Sequence, residues 1–325
     1  MSEEMMENND AVSENVQADA TESVTEEPDT KKGDIVRINR HPDRSGKPAF
    51  FVGSTLKIIA VISMLIDHFG AAVVSPYLYL YLPRYGAEGC KEIITAKAAW
   101  LWSDRMGDAA FVNSMYITLR EIGRIAFPIY CFLLVEGFFY SKNLIKYGLR
   151  LFLFFFISEI PFDLAFLGHL GFEHQNVFST LLFGLIAMVL MEKVRVKIGT
   201  AKFINRVLWL LPGFAVAGVA EVLNTDYGAF GVIAIMILYM LRDTPGKQAA
   251  VGAASFVWEI TAPLAFIPVY FYNGKRGLRM KYFFYVFYPL HLALLVLLRV
   301  SLFHADIMQL PFFTMLKEIV MMPEF

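Results

Sequence analysis

From about residue 54 onward, hydrophobic residues form a series of stretches close to the roughly 20-residue length that an α-helix needs to cross a bilayer. Shorter polar segments separate these stretches. The spans that we predict are 55–75, 118–139, 149–168, 177–191, 204–223, 227–241 and 281–303. The pattern therefore predicts an all-α polytopic integral membrane protein.

Segment 248–272 is apolar but fits neither one crossing nor two. Basic residues stand on both sides of it, four of them within 275–281, so a single crossing would place cations outside. A re-entrant pair of short helices, broken near 261–263, satisfies both flanks, because broken helices are tolerated when they are buried in protein. Further half-length candidates lie at 77–83 and 93–102. We expect about eight to ten transmembrane or re-entrant helices in total.

The N-terminal segment has the opposite character. Residues 1–49 contain no Phe, Tyr or Trp, so they cannot bury enough apolar surface to offset the entropy lost on ordering. Residues 1–34 carry a formal charge of −9, whereas the rest of the chain carries +8. We predict a disordered acidic cytoplasmic tail over 1–49 and a transmembrane helical domain over 50–325. The acidic start, with no apolar core behind it, is not typical of a signal peptide.

Composition and charge distribution exclude a simple soluble enzyme. The chain is 57% hydrophobic and 18% charged, whereas ordinary soluble domains are about 25% charged. Lysines and arginines are concentrated before the first span and in the connections at 142–150 and 193–206, while 168–176 and 224–227 contain none. Because positively charged loops stay in the cytoplasm, we place the N-terminus inside.

Ionisable side chains inside the predicted spans carry most of the functional information. Each costs at least roughly 2.5–3.5 kcal/mol at bilayer depth, so each needs a partner, a cavity or a function. Lys57 and His68 are eleven residues apart, which places them on one face of the first helix about 16 Å apart. Other polar groups are expected to converge with His68 on one catalytic or conduction cavity: Asp67, Arg124, Glu136, Glu159, Asp163, Asn176 and His291.

A structural interpretation stands beside each functional one. His68 also fits a neutral imidazole hydrogen-bonded between helices, and Arg124 fits a structural partner of Glu136, Glu159 or Asp163. The lysine at the start of the first span fits an interfacial anchor. The basic loops follow from the positive-inside rule, although they would also attract a polyanionic cofactor. The two cysteines are too few and too far apart to indicate a metal site, and nothing indicates nucleic acid.

Five runs of the sequence carry a family resemblance: LKIIAVISMLIDHFG (56–70), REIGRIAFPIYCFLLVEGF (120–138), YGLRLFLFFFISEIPFDLAF (147–166), QNVFSTLLFGL (175–185) and YVFYPLHLALL (285–295). They resemble the TraX family, whose namesake is an integral membrane protein needed for N-terminal acetylation of F-type conjugative pilin. TraX-like proteins in turn distantly resemble the transmembrane acyltransferase superfamily. In that superfamily a basic residue, ten further residues and a histidine mark the first catalytic helix, and Lys57 and His68 have this spacing.

The resemblance implies a multi-pass enzyme of the bacterial inner membrane that transfers an acetyl or other acyl group from cytoplasmic acyl-CoA, without a metal cofactor. It implies His68 as the catalytic base, and we add Asp67 and Arg124 as catalytic candidates, with Arg124 stabilising the developing oxyanion. Acetyl-CoA is the expected donor. Its expected binding residues are the basic ones near the cytoplasmic surface: Lys57, Lys142, Lys146 and Arg150.

The acceptor and the function class stay open at this point. A pilin-like peptide amine, a glycan and a lipid all fit as acceptors, and a homo-oligomer is compatible with the sequence. The same intramembrane charges also fit a proton-coupled transporter or flippase. A non-catalytic role in assembling an envelope complex is the third alternative. We see no inverted repeat of the kind that marks many transporters, which favours the enzyme.

Overall fold

The computed structural model describes residues 42, 44, 46–98, 104–199, 202–278 and 281–303. The predicted acidic tail lies outside the described residues except for its last positions. Among these, Arg44 is buried and contacts Glu136 and Gln248. Arg44, which precedes the first helix, therefore already packs against the helices.

The described chain is built from helices. In chain order they are α1 Gly53–Phe69, α2 Leu82–Ala98, α3 Ala109–Gly123, α4 Ala126–Tyr140, α5 Leu144–Phe166, α6 Val177–Ile198, α7 Phe203–Leu208, α8 Leu211–Val222, α9 Gly228–Met240, α10 Pro245–Ser255, α11 Phe266–Tyr270 and α12 Lys281–Leu302. Two π turns, Gly70–Val74 and Tyr77–Tyr81, connect α1 to α2, and 3₁₀ turns cover Asp104–Gly107 and Ala262–Ala265.

The all-α membrane architecture is confirmed. Among the described residues the only β-type pairing is an isolated bridge between Gln175 and Thr225. Two apolar helices, α8 and α9, are shorter than a full span. The helices in the described ranges that are long and apolar enough to cross a membrane are Gly53–Arg84, Ala109–Tyr140, Val177–Ile198 and Tyr282–Leu302. The protein is thus a multi-pass membrane protein.

The first long helix corrects one sequence-based expectation. Segment 77–83, predicted as a separate half-length element, continues the first span as part of the helix Gly53–Arg84. The two π turns lie on either side of Pro76, and their wider turns accommodate a ring that would otherwise clash with the preceding turn. Of the other candidate, 93–102, the first part belongs to α2 and 99–102 lie outside the described residues.

The predicted span 204–223 is also not one helix. It divides into α7 and α8, which are separated by Trp209 and Leu210. Pro212 stands in the first turn of α8, where its missing N–H has no helical partner to lose. A helix that starts at this proline is favoured over one that runs through it.

The second long helix, Ala109–Tyr140, starts earlier than the predicted 118. The side chain of Asp108 caps it by accepting hydrogen bonds from the backbone N–H groups of Ala110 and Phe111, at 2.9 and 3.3 Å. The helix bends at Arg124, where α3 ends and α4 follows.

Segment 248–272 has the re-entrant geometry that its flanking charges predict. Arg44 donates to the side-chain oxygen of Gln248 at 3.4 Å and to the backbone carbonyl of Tyr272 at 3.5 Å, so the segment begins and ends at the same level. Between these ends the chain leaves the helical conformation over 256–261. There the hydroxyl of Thr261 donates to the carbonyl of Glu121 beside the bend between α3 and α4.

Backbone hydrogen bonds tie the last connection to the start of α1. The N–H of Gly53 donates to the carbonyl of Lys275 at 2.8 Å, and that of Ser54 donates to the carbonyl of Arg276 at 3.1 Å. This end of the bundle is called the basal end below, and the opposite end the distal end. Because α1 and α12 both start basally and pack together, they run side by side in the same direction.

The tight approach of helices α4, α6 and α9 gives a test of the packing. A Cβ atom added to Gly231 would lie 2.7 Å from the Thr180 methyl group and 3.0 Å from the Phe127 ring, whereas one added to Gly218 meets nothing within 4 Å. We expect Gly231→Ala to destabilise the protein by about 1–3 kcal/mol through overpacking. The matched control Gly218→Ala should stabilise it by up to about 1 kcal/mol. Thermal unfolding in detergent measures both, and equal effects would contradict this packing.

Candidate active site

The centre of the candidate site is a pair of histidines from α1 and α12. His68 Nδ1 lies 2.7 Å from His291 Nε2, and the two rings are nearly parallel. His291 Nδ1 lies 2.8 Å from the backbone carbonyl oxygen of Phe287, one turn earlier in α12. His291 is 3% exposed, so it is cut off from solvent. His68 lies about 22 Å along the helix axis from Gly53 at the basal end, which is well inside the bundle.

Asp67 stands beside His68 but binds another helix. Its Oδ2 forms an ion pair of 2.6 Å with Arg120 of α3 and lies 3.9 Å from His68 Nε2. A Cβ atom at Gly123 would come within 2.1 Å of the Asp67 side chain, so only glycine allows this approach of α1 to α3. Arg120 was placed in the second span by the sequence but was given no role. Its (i, i+4) spacing with Arg124 places both arginines on one helix face, and this is the sequence signal that could have pointed to Arg120.

Arg124 has a different partner from those predicted. It forms an ion pair of 3.0 Å with Glu259, which lies in the non-helical part of the re-entrant segment. Glu136 is twelve residues further along the same long helix, or about 18 Å at the helical rise, and is therefore out of reach. The sequence could not select Glu259, because its depth depends on how far the re-entrant segment reaches into the bundle.

Glu136 does not join the histidine pair, contrary to the expectation of one shared cavity. It lies at the basal end, where its carboxylate contacts Arg242 Nε at 3.2 Å and Arg44 Nη2 at 3.7 Å. All three side chains are buried. This ion cluster joins α4 to the end of α9 and to the segment before α1.

Glu159, Asp163 and Asn176 form a second polar cluster at the distal end. The Asn176 side-chain amide donates to the Glu159 carboxylate, and its carbonyl oxygen caps α6 at the N–H of Phe178, 3.1 Å away. Asp163 accepts from the N–H of Gly171 at 3.0 Å. One oxygen of each carboxylate is buried without a hydrogen-bond partner among the described residues. These contacts hold the α5–α6 connection and place the three residues beside the site rather than in it.

Two further aromatic rings pack edge-on against His68. Its ring centroid lies 5.1 Å from that of Phe166 and 5.8 Å from that of Tyr288. Phe166 also lines a distal groove of about 740 Å³, together with Arg299 and part of the first long helix. Arg299 itself is held by backbone carbonyls, among them that of Ala165 at 3.0 Å. The ring of Phe166 therefore contacts His68 and also lines the groove.

The predicted donor-binding residues all lie towards the basal end. Lys57 stands over the ring of Phe284 at 5.2 Å, and Arg150 lies over the ring of Tyr147 at 5.6 Å. Lys142 and Lys146 are exposed near the α4–α5 connection. A basal cavity of about 420 Å³ is lined by none of these four, and its basic lining residues are Arg44, Lys47 and Lys275.

Comparison with known proteins decides the family. The TraX protein family model matches residues 52–299, which include both histidines and both ends of the re-entrant segment. The chain belongs to the TraX family. A relative is the probable fimbrial assembly protein FimC, serogroup H1, of Dichelobacter nodosus, which is 29% identical over 276 residues, covering 75% of this chain and 94% of the relative. No solved structure matches the chain. The resemblance of the five sequence runs to the TraX family is thereby confirmed.

Two connections meet at the distal end, close to the site. The N–H of Gln175 donates to the carbonyl of Asn224 at 3.0 Å, beside the bridge between Gln175 and Thr225. Next to it, His174 Nε2 lies 3.6 Å from the Asp226 carboxylate. This neighbour raises the pKa of His174 above its ordinary value near 6.5 and outweighs the opposing effect of partial burial.

The raised pKa of His174 predicts a pH-dependent contribution to stability. The protonated imidazole is favoured in the folded state, so the contribution is fully present below about pH 6.5 and is lost as the pH rises through the folded-state pKa. We expect the unfolding temperatures of the wild type and His174→Gln to differ more at about pH 6 than at about pH 9. Asp226→Asn should abolish this pH dependence. A difference that grows with pH would refute the assignment.

Proposed function

We propose that this protein is a membrane acetyltransferase that uses His68 as its general base. The observation that carries the proposal is the His68–His291 pair, which joins two helices inside the bundle of a TraX family member and is bordered by the Asp67–Arg120 ion pair. An imidazole enclosed in a bundle, with a hydrogen-bonded partner and a nearby cation, is suited to accept a proton during acyl transfer.

The reaction that fits this site is attack of an amine or hydroxyl on the thioester carbonyl of acetyl-CoA. His68 takes the proton from the attacking group as the new C–N or C–O bond forms. The tetrahedral intermediate then collapses, the C–S bond breaks, and the proton passes from His68 to the departing thiolate. The acetylated acceptor and free CoA leave, and the imidazole is neutral again.

Positive charge beside the reacting carbonyl would stabilise the developing oxyanion. Arg124, which the sequence suggested for this role, is bound to Glu259. Arg120 lies closer to the histidine pair, since it binds the residue that precedes His68 at 2.6 Å. We therefore assign the electrostatic role to Arg120 and give Arg124 the role of holding the re-entrant segment against the bend in the second long helix.

Donor and acceptor are proposed to reach His68 from opposite ends. The basal end carries Lys57 and the basic cavity, which suit the phosphates of acetyl-CoA. The distal groove, one aromatic ring away from His68, suits the acceptor. We propose a pilin-like peptide amine as this acceptor, supported by the family and by the fimbrial assembly name of the FimC relative.

The test is acetyl transfer from labelled acetyl-CoA to a pilin-like N-terminal peptide by the purified protein in lipid vesicles. His68→Ala is expected to lower kcat by at least about 100-fold, because removal of a general base typically costs 10²–10⁴-fold. His169→Gln is the matched control, since His169 is a partly exposed histidine in the α5–α6 connection that does not contact His68, and it should leave the rate unchanged.

Two results would overturn the proposal. One is full acetyl transfer by His68→Ala. The other is transport of a substrate driven by a pH gradient in the absence of acetyl-CoA, lost in His68→Ala, which would establish the transporter or flippase alternative. Transfer to a glycan or lipid but not to the peptide would retain the enzyme and replace the acceptor.

A further inference from the structure

We propose that His291 is a positioning residue, which fixes the tautomer of His68 so that Nε2 is free to accept a proton. The inference rests on the proposed function and adds to it the residue that orients the base. It is carried by two hydrogen bonds in series, from His68 to His291 and from His291 to the Phe287 carbonyl.

The direction of both hydrogen bonds follows from the last acceptor. A backbone carbonyl oxygen can only accept, so the His291 nitrogen 2.8 Å from it, Nδ1, carries the proton. In a neutral imidazole the other nitrogen is then an acceptor, so His291 Nε2 offers a lone pair. His68 Nδ1, 2.7 Å away, must donate to it. The proton of neutral His68 is thus on Nδ1, and Nε2 holds the lone pair.

Packing keeps this arrangement in one orientation. The imidazole of His291 lies nearly parallel to the ring of Phe287, with centroids 4.7 Å apart, and Tyr288 packs against its edge at 5.6 Å. Rotation of the His291 ring would break both hydrogen bonds and bury unpaired nitrogens, which is costly where no water can replace the partners. Helix α12 therefore presents a fixed acceptor to α1.

The charged and titratable groups around His68 leave this role to His291. On its own helix, the Asp67 carboxylate lies 3.9 Å from Nε2 and is bound to Arg120 of α3. On α12, the Tyr288 ring contacts His68 edge-on. Among the described residues only His291 is placed to accept from Nδ1. It occupies the position that a carboxylate has behind the histidine of a serine hydrolase.

The Phe287 carbonyl at the end of the series also indicates that the pair orients the base and does not conduct protons. A proton taken up at His68 Nε2 makes the ring cationic, and the bond from Nδ1 to His291 stabilises that cation. Onward transfer would have to pass through His291 to the Phe287 carbonyl, which is not a base. The pair can therefore hold a proton at His68 but cannot pass it further along α12, which suits an acid–base residue better than a proton-transport pathway.

Two substitutions at His291 separate this role from a structural one. In His291→Gln the side-chain carbonyl oxygen lies the same number of bonds from Cα as Nε2 and can still accept from His68. His291→Leu fills the site with an apolar group of similar volume but offers no acceptor. We expect His291→Leu to lower kcat by about 100-fold, which is the upper range for loss of a residue that orients a functional side chain. KM for acetyl-CoA should stay within about twofold, and Gln should stay within about tenfold of the wild-type kcat.

A spectroscopic measurement tests the tautomer without relying on activity. In ¹⁵N-histidine-labelled protein in lipid bilayers, the nitrogen chemical shifts report which ring nitrogen carries the proton. His68, assigned by the signals missing from His68→Gln, is expected to show a protonated Nδ1 and an unprotonated Nε2. His291→Leu should lose that pattern and His291→Gln should keep it.

The outcomes distinguish this inference from the proposed function. Wild-type kcat in His291→Leu, equal losses in the Leu and Gln variants, or a proton on Nε2 of His68 in the wild type would each overturn the positioning role. If the wild type transfers no acetyl group at all, the proposed function fails. The tautomer measurement then decides the hydrogen-bond arrangement by itself.

Discussion

Pairing of buried polar groups within the helix bundle is the constraint on which the rest of this structure depends. Hydrocarbon supplies no hydrogen bonds, so a charge or imidazole on a spanning helix must find its partner in another part of the protein. Asp67 meets Arg120, and Glu136 meets Arg242, each across a large separation in sequence. Every such pair reduces the cost of a buried charge and at the same time determines where two elements meet.

The paired polar groups lie at different depths along the bundle, and the candidate site lies between the two outer clusters. The Glu136 cluster closes the basal end, and the Glu159 contacts hold a distal connection. Between these ends, His68 meets an imidazole on α12 instead of a permanent countercharge. A group that is hydrogen-bonded but not neutralised by an ion can still change its protonation state, whereas the ion pairs of the basal Glu136 cluster hold their groups charged.

Irregular backbone is concentrated around the same region. A π turn begins two residues after His68, the second long helix bends at Arg124, and the re-entrant segment leaves the helical conformation before Thr261. The last two irregularities face each other, since Arg124 binds Glu259 and Thr261 donates to the Glu121 carbonyl. Non-helical chain at this depth is tolerated because protein groups satisfy it. Wide π turns are also frequent at functional sites.

The sequence by itself determined the all-α membrane architecture and supplied the residue that we propose as the general base. Runs of apolar residues predict helices near their observed positions, because a spanning helix must match the fixed thickness of the hydrocarbon core. The positive charges that flank segment 248–272 predict its re-entrant path. The spacing from Lys57 to His68, with the family resemblance, selected His68. Only the tertiary structure decided which polar groups meet. His291, Arg120 and Glu259 became partners of His68, Asp67 and Arg124 through helix packing. Such contacts depend on the relative rotation and depth of helices far apart in the chain, which periodicity within one helix does not encode.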